Sequence, residues 1–410
     1  MVRTRDFLLL LLAFVVVGLL VGLLVRLAAP RWWRRRGVRL ALAGLVAVDA
    51  VLPVAWFALM RLGQTDTADN LVTRLLALFF LQVAVAAALV VAGLWRAGRR
   101  QREDVPDGPG ADVRRRRRVL LQAAALSIPA AAAATGLGGV AEAAGPVRLR
   151  RRTLRVPGLP DGLAGLRILH FADVHLWHLV RLPDLERALR KAPRGEYDLV
   201  CVTGDLADDM AQLPRALELI AGLDAPLGHY ACLGNHEHAR DLPGALQAYA
   251  RGPVELLRAS GKVLRHGGQP FVVAGIDDLR AVPRLAQRTF YPDQLQRALR
   301  PVAEDAFTLL LSHRPSVMPY AADAGVDVVL AGHTHAGQVA ILGTSILELN
   351  GAARWAWGVY RRQDTVMHVT CGMGQWFPFR LGCPPEMVLL ELQPAPGGER
   401  GERRPQAAAR

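Results

Sequence analysis

The first 145 residues alternate long apolar runs with short basic loops. Three runs, at residues 7–25, 38–60 and 75–95, have about the 20 apolar residues needed to cross a bilayer, and a weaker, alanine-rich run follows at 119–140. This pattern predicts an α-helical membrane module of about four transmembrane helices over residues 1–145.

The charges of the connecting loops predict the orientation of this module. Arginines cluster in the first and third loops, at residues 31–36 and 114–118, whereas acidic residues balance the second loop. Because positive loops stay in the cytoplasm, a fourth crossing places everything after residue 145 outside it. The fourth run also resembles a twin-arginine export signal with a cleavage site at residues 141–143, and this alternative exports the remainder as well. We therefore expect a multi-pass inner-membrane protein whose larger part is extracytoplasmic.

One acidic residue, Asp49, interrupts the second apolar run. A carboxylate inside a bilayer is costly unless it has a partner, and the sequence suggests no partner acid or base for a transport pathway. We expect Asp49 to make a hydrogen bond between packed helices, and we expect the module to act as an anchor.

From about residue 147 the pattern changes to short apolar runs of β type, each followed by polar residues and a helical stretch. These runs lie at 166–171, 199–204, 229–234, 271–276, 307–312 and 326–332. Strands that alternate with helices predict an α/β fold, and fully apolar strands predict sheets covered on both faces. Residues 395–410 have the composition of a disordered tail.

Composition and charge narrow the class of protein. The 410 residues are 52% hydrophobic with a formal net charge of +14, but the charge is unevenly placed. Residues 1–155 hold 24 of the 50 Lys and Arg residues and only 9 of the 36 Asp and Glu residues, so the remainder is nearly neutral. A nucleic-acid-binding domain carries its basic surface on the folded part of the chain, and we therefore expect no nucleic-acid partner.

The four cysteines are spaced too irregularly for a thiolate metal site. Cys201 and Cys232 lie in strand-like apolar runs and are expected in the core. Cys371 and Cys383 are expected either to pair in an oxidising compartment or to remain free thiols.

Side chains that can bind metal ions follow five of the predicted strands. They are Asp173 and His175; Asp205; Asn235, His236 and Glu237; His313; and His333 and His335. In an open α/β sheet, ligands bind at the carboxyl ends of strands. A mixture of carboxylate, imidazole and one amide suits manganese, iron or zinc better than calcium or magnesium. The sequence therefore predicts a metal site at this edge of the sheet.

The order D-x-H, G-D, G-N-H-E, H and G-H-x-H resembles the signature of the calcineurin-like metallophosphoesterase superfamily, in particular its bacterial membrane-associated branch. The stretches GIDD, RWAWGVYR and GCPPEMVLLEL match as well, so the resemblance covers about residues 150–393. It implies a four-layer α/β/β/α sandwich in a catalytic domain at 146–394, preceded by the transmembrane module. Ala172 and Ala336 replace the usual Ser and Gly, which bears on substrate preference.

The resemblance also implies two divalent metal ions and a role for each matching residue. The implied ligands of the first ion are Asp173, His175 and His335. Those of the second are Asn235, His313 and His333, and Asp205 bridges the two ions. His236 is the implied catalytic residue, which stabilises the transition state or protonates the leaving oxygen.

Other residues near these ligands carry weaker expectations. Three of them, His178, His238 and Arg380, are expected to contact substrate. Asp208 and Asp209 are expected to start a helix or to support the ligands. The aromatic residues Trp177, Trp376, Phe377 and Phe379 are expected either to form an apolar lip or to pack against the sheet edge.

Three functions remain open from the sequence. The first is hydrolysis of a phosphodiester or pyrophosphate in an envelope lipid or a nucleotide-linked substrate, which the membrane module favours. The second is a phosphomonoesterase or protein phosphatase, because the ligand set does not separate monoesters from diesters. The third is a non-catalytic membrane scaffold, which the complete ligand set disfavours. The sequence does not predict an oligomeric state.

Overall fold

The computed structural model describes residues 138–397, apart from 178, 283–286, 301–305 and 376–377. Before residue 138 it describes 33–61, Gln82 and some positions between 15 and 26. The chain divides into two compact units, Met1–Val140 and Ala141–Arg410.

The first unit contains helix α1 (Arg36–Arg61), which coincides with the second predicted apolar run. Within the described residues, its segment Arg36–Ala55 is the one stretch long and apolar enough to cross a membrane. The first predicted run is described only in part, and the third and fourth lie almost entirely outside the described residues, so a multi-pass topology stays a prediction. Asp49 is buried and accepts a hydrogen bond of 2.6 Å from Gln82 Nε2, which confirms the expected polar contact.

The second unit is built on two six-stranded mixed sheets. Sheet one has the strand order β1-β14-β2-β3-β4-β5, and sheet two has the order β12-β13-β9-β8-β7-β6. Its strands in chain order are β1 (Arg148–Val156), β2 (Arg167–Phe171), β3 (Leu199–Thr203), β4 (His229–Cys232), β5 (Glu255–Leu256), β6 (Ser260–His266), β7 (Gln269–Gly275), β8 (Phe307–Leu311), β9 (Val328–Ala331), β10 (Ala340–Ile341), β11 (Thr344–Ser345), β12 (Gly358–Arg362), β13 (Thr365–Val369) and β14 (Glu386–Pro394). The strands β10 and β11 form a separate hairpin.

Short helices connect these strands. They are α2 (Leu182–Leu189), α3 (Leu213–Ala221), α4 (Asn235–Arg240), α5 (Leu242–Arg251), α6 (Gln287–Ala298), α7 (Met318–Asp323) and α8 (Ile346–Leu349). Apolar side chains of α2 and α3 recur on one face and are buried, for example Leu185 and Leu217, which explains why these segments are helical and pack on a sheet.

The buried side chains form three main apolar clusters. One lies between the two sheets and takes residues from both, such as Ile168 and Phe271. A second lies between sheet one and helices α2, α3 and α5. A third lies between sheet two and helices α6 and α7. This mixed α/β arrangement agrees with the predicted fold class, and the fully buried strands β3, β8 and β9 agree with sheets covered on both faces.

The cysteines and two histidines occupy this core. All four cysteines lie in the described part of the chain and are buried free thiols, including Cys371 and Cys383. His170 and His368 are fully buried between the sheets, with their Nδ1 atoms 3.1 Å apart.

Candidate metal centre

The expected ligands lie at the carboxyl ends of strands from both sheets. Strands β2, β3 and β4 are parallel neighbours in sheet one, and β8 and β9 are parallel neighbours in sheet two. Each expected ligand follows one of these five strands within four residues. Since the two sheets pack face to face, their strand ends bring these side chains together.

Two glycines of the motifs, Gly204 and Gly332, allow the loops to approach each other closely. A Cβ on Gly204 would lie 2.6 Å from Gly234 Cα and 2.7 Å from His313 Nδ1. A Cβ on Gly332 would lie 2.3 Å from a carboxylate oxygen of Asp173. Any side chain at these positions would push the expected ligands apart.

The backbone is left-handed at several expected ligands. The φ angles are positive for Asp173 (54°), His175 (52°), Asp205 (51°), His333 (73°) and His335 (49°). Residues other than glycine rarely adopt this conformation, and it concentrates at functional sites where the surrounding structure enforces it. Backbone hydrogen bonds enforce it here, since Asp173 N donates to Gly204 O and His175 N donates to Asp205 O, both at 3.0 Å.

One group of expected ligands is formed by Asp173, His175 and His335, all buried. The Nε2 atoms of the two histidines are 3.0 Å apart, and Asp173 Oδ1 is 3.6 Å from His335 Nε2. Ligand atoms about 2.0–2.2 Å from one ion are separated by about 3 Å or slightly more, so these distances suit a shared cation.

The second group is formed by Asp205, His313 and His333, with Asn235 beside them. His313 Nε2 lies 3.1 Å from both His333 Nδ1 and Asn235 Oδ1. Asp205 Oδ2 is 3.2 Å from His313 Nε2 and 3.8 Å from His175 Nε2, so this carboxylate lies between the two groups.

The outer nitrogens of two histidines test whether the residues present fit metal ions. His175 Nδ1 is 2.9 Å from Asp208 Oδ2, and His313 Nδ1 is 2.8 Å from the carbonyl oxygen of Thr203. Both partners accept hydrogen bonds, so both Nδ1 atoms carry protons. The Nε2 atoms then direct their lone pairs into the site, which is how proteins orient histidine ligands of metals. The donor set therefore fits divalent ions of the manganese, iron and zinc type.

His236 lies beside both groups at the start of α4. Its backbone N–H donates to Asp205 Oδ1 at 2.8 Å, its Nδ1 hydrogen-bonds to Asp208, and about a quarter of its side chain is exposed. Burial lowers the pKa of His236, but Asp205 and Asp208 outweigh burial and raise it to about 9. The two carboxylates therefore favour the protonated form of this partly exposed ring, which could donate a proton.

Asp208 connects His236 to the first group of ligands. Its carboxylate accepts from His175, from His236 and, at 3.2 Å, from Arg240 Nε. Burial raises its pKa, but His175 and His236 outweigh burial and hold the pKa well below its ordinary value. This is the supporting role expected for Asp208, whereas Asp209 accepts from Ala211 N and begins a short 3₁₀ helix.

The three residues expected to contact substrate have different surroundings. His238 is nearly buried, with Nε2 2.5 Å from Asp277 Oδ1. Arg380 is fully buried and donates to the carbonyl oxygens of Cys371, Gly374 and Cys383. Its Nη2 also lies 3.3 Å from Nδ1 of the expected ligand His335, and its contact with substrate stays a prediction. His178 lies outside the described residues.

The expected aromatic lip is described only in part. Trp177 lies under Arg240, whose Cζ is 5.0 Å from the ring centroid, and Phe379 is buried. The contact of Trp177 with Arg240 and the burial of Phe379 agree with packing against the rest of the fold. Trp376 and Phe377 lie outside the described residues.

Two charged residues of the site were given no role of their own in the sequence analysis. Glu237 is fully buried and accepts from the backbone N–H groups of Asp205, Leu206 and Gly234, so it fixes two ligand loops to each other. Arg314 pairs with Asp278 and contacts His333. The position of Arg314 directly after His313 was the one available clue.

Comparison with known proteins identifies the family. Residues 166–337 match the family model described as calcineurin-like phosphoesterase. An uncharacterized metallophosphoesterase of Aquifex aeolicus is 31% identical over 254 residues, which cover 60% of this chain and 92% of that protein. The chain therefore belongs to the calcineurin-like phosphoesterase family, which confirms the resemblance seen in the motifs.

Two further relatives have more specific names. A transmembrane protein with metallophosphoesterase domain from Danio rerio is 31% identical over 266 residues, which cover 63% of this chain and 60% of that protein. The UDP-2,3-diacylglucosamine pyrophosphatase LpxG of Chlamydia trachomatis is 25% identical over 295 residues, which cover 60% of this chain and 88% of that protein.

Proposed function

We propose that this chain is a membrane-anchored phosphoesterase that uses two divalent ions to hydrolyse a phosphodiester or pyrophosphate bond. The observation that carries the proposal is the position of Asp205 between two groups of ligands, with His236 next to both. Such bound ions polarise a phosphoryl group and lower the pKa of the attacking water.

The chain's own residues have distinct proposed roles. Asp173, His175 and His335 would hold the first ion, Asn235, His313 and His333 would hold the second, and Asp205 would contribute to both sites. Asn235 is a neutral ligand, which limits the negative charge that faces an anionic substrate. His236, oriented by Asp208 and favoured in its protonated form by Asp205 and Asp208, donates a proton to the leaving oxygen or a hydrogen bond to the phosphoryl group.

A lipid-linked or nucleotide-linked substrate is the second part of the proposal. The apolar segment Arg36–Ala55 favours a membrane anchor, and one relative is named a transmembrane protein. Another relative is named for a pyrophosphatase activity on UDP-2,3-diacylglucosamine. An anchored enzyme meets a membrane-bound substrate at high effective concentration.

The test uses the full-length chain in detergent micelles, reconstituted in turn with manganese, iron or zinc. Bis-p-nitrophenyl phosphate and p-nitrophenyl phosphate are compared as diester and monoester, with His236→Ala and Asn235→Ala as site variants. His229→Ala is the matched control, because His229 lies at the other end of β4 and its Nε2 is 2.9 Å from the carbonyl oxygen of Leu223.

The proposal expects metal-dependent diester cleavage that falls steeply in both site variants and is unchanged in the control. Turnover of the monoester alone would favour a phosphatase instead. A folded, ion-binding protein that cleaves neither compound would contradict a general esterase. UDP-2,3-diacylglucosamine presented in the same micelles would then show whether the chain is a pyrophosphatase of narrow substrate specificity.

A further inference from the structure

The hairpin β10–β11 ends in a turn that contains an exposed leucine. Ile341 pairs with Thr344, so Leu342 and Gly343 form a two-residue turn, and both have positive φ angles, of 50° and 85°. Positive φ at both central residues defines the type I′ turn, which favours asparagine, aspartate or glycine at the position of Leu342. A left-handed leucine costs free energy, and Leu342 recovers none by packing, because its side chain is fully exposed.

The residues around this turn have the composition of a segment that lies at a membrane surface. Ile341 and Leu349 are more than half exposed. Residues 339–357 also contain two tryptophans and one arginine, the exposed Arg354. Glu348 is the one acidic residue of this stretch, and its carboxylate accepts hydrogen bonds from a tyrosine hydroxyl and from backbone N–H groups. Exposed aliphatic side chains, tryptophan and a basic residue are typical of segments at the interface of an anionic bilayer.

The hairpin lies beside the point at which the chain enters the second unit. Ala340 N donates to Leu381 O, and Gly382 N donates to Glu142 Oε2, both at 2.7 Å. Glu142 comes two residues after the predicted fourth apolar run at 119–140. Two residues span at most about 7 Å, so a membrane-spanning run that ends there keeps Glu142, and the hairpin next to it, close to the bilayer.

We propose that the turn of β10–β11, with Ile341 and Leu342 at its tip, inserts into the lipid bilayer that holds the anchor. Transfer of one leucine side chain from water to an apolar phase favours the inserted turn by roughly tenfold or more. The bilayer thus supplies the burial that the fold does not give to Leu342. The inference rests on the membrane anchoring in the proposed function and not on the proposed hydrolysis.

Insertion of the turn also positions the metal centre. The strand β10 begins five residues after the expected ligand His335, and Ser345 Oγ in β11 donates to Ala336 O at 2.7 Å. The hairpin is therefore tied to the loop that carries His335. An inserted hairpin holds this loop next to the lipid headgroups, so the substrate class it favours is a phosphate ester or anhydride of a membrane lipid.

Fluorescence quenching tests the proposal without relying on turnover. The full-length chain is reconstituted in nanodiscs of phosphatidylethanolamine and phosphatidylglycerol and carries a thiol-reactive fluorophore at Leu342→Cys. The four native cysteines are buried, so the label goes to the new thiol. Val263→Cys is the matched control, because Val263 is as exposed as Ile341, both at 52%, but lies on β6, at the edge of sheet two opposite to β12. Lipids with brominated acyl chains quench a label in the bilayer, and iodide quenches a label in water.

The two labels should respond in opposite ways. Brominated lipids should quench the label at Leu342→Cys at least about threefold more than the label at Val263→Cys, and iodide should show the reverse order, because an interfacial segment is buried among the acyl chains.

A second pair of labelled chains separates the effect of Leu342 from that of the fluorophore. In Thr344→Cys the label is next to the turn and Leu342 is unchanged. Addition of Leu342→Asn to this chain should reduce quenching by brominated lipids by about half or more, because the apolar side chain is lost. Asparagine suits the turn, so the melting temperature should be unchanged or higher.

Each of several results would overturn the inference. Equal iodide quenching at Leu342→Cys and Val263→Cys would show that the turn stays in water. Protection from iodide without quenching by brominated lipids would show that a second copy of the chain or another protein surface covers the turn. Unchanged quenching after Leu342→Asn would remove the role of this leucine. A chain that is not retained in nanodiscs would refute the proposed membrane anchoring itself, and the inference with it.

Discussion

Replacement of Asp208 by asparagine should disable the proposed chemistry while leaving every expected metal ligand in place. The carboxylate of Asp208 accepts from Nδ1 of both His175 and His236. An asparagine has one acceptor oxygen, and its amide nitrogen donates. One of the two histidines therefore faces a donor and must change its tautomer or its orientation.

The size of the effect follows from these hydrogen bonds. A hydrogen bond to a charged group contributes about 1.5–3 kcal/mol, and each 1.36 kcal/mol changes a rate tenfold. If His236 loses its orientation, kcat/KM should fall by roughly ten- to a hundredfold or more. If His175 loses its orientation, the affinity of the first site for metal should also fall by about ten- to a hundredfold.

The assay compares metal affinity and diester turnover in the full-length chain with Asp208→Asn. Asp209→Asn is the matched control, since the Asp209 side chain bonds to Ala211 N and Gln212 Nε2. Wild-type turnover in Asp208→Asn at saturating metal would refute the argument that this carboxylate orients the histidines. An equal loss in Asp209→Asn would refute it as well, because the effect would then be one of local folding.

Three further predictions concern buried polar groups. Glu237→Ala leaves three buried backbone donors without an acceptor and should lower the free energy of unfolding by roughly 2–4 kcal/mol; an unchanged melting temperature would contradict this. Arg380→Met similarly deprives buried carbonyl oxygens of their donor and should lower the free energy of unfolding by roughly 3 kcal/mol or more, as measured by thermal unfolding. A loss of phosphate affinity at unchanged stability would instead support the expected contact of Arg380 with substrate. Burial lowers the pKa of His170 to about 3 and that of His368 well below its ordinary value. Both rings therefore stay neutral in the folded chain, whereas in the unfolded chain they become protonated below about pH 6.5. The free energy of unfolding should therefore be highest above about pH 6.5 and decrease towards pH 3, and the decrease should be smaller in His368→Gln. The same dependence of the free energy of unfolding on pH in the wild-type chain and in His368→Gln would refute this explanation.

Many strands of the second unit, and the residues that follow them, could be predicted because each depends on residues that are close together in the sequence. Apolar runs such as 199–204 and 307–312 became fully buried strands, and the polar residues that follow them lie together at the strand ends. Because parallel strands end at the same edge of a sheet, the residues that follow them are expected to lie near one another even when the strand order is not known.

The contacts between loops could not be predicted, because they depend on which strands are neighbours. Asp278 and Arg314 are 36 residues apart and meet only because β7 and β8 pair side by side. The full burial of Arg380 could not be predicted either, since arginine is rarely buried without partners. Three backbone carbonyl groups of its own loop supply those partners, and no sequence motif indicates these contacts.

The left-handed backbone at five expected ligands has a consequence for engineering. Each such residue costs on the order of 1 kcal/mol relative to a relaxed conformation, and glycine at the same position would remove that cost. A design procedure that scores backbone conformation alone would therefore replace Asp173, His175, Asp205, His333 and His335 with glycine first. It would relieve the backbone and remove the residues of the proposed chemistry, which is a trade-off between stability and activity. Thermostable variants of this chain are better sought on the exposed faces of α2 and α3, with these five positions held fixed.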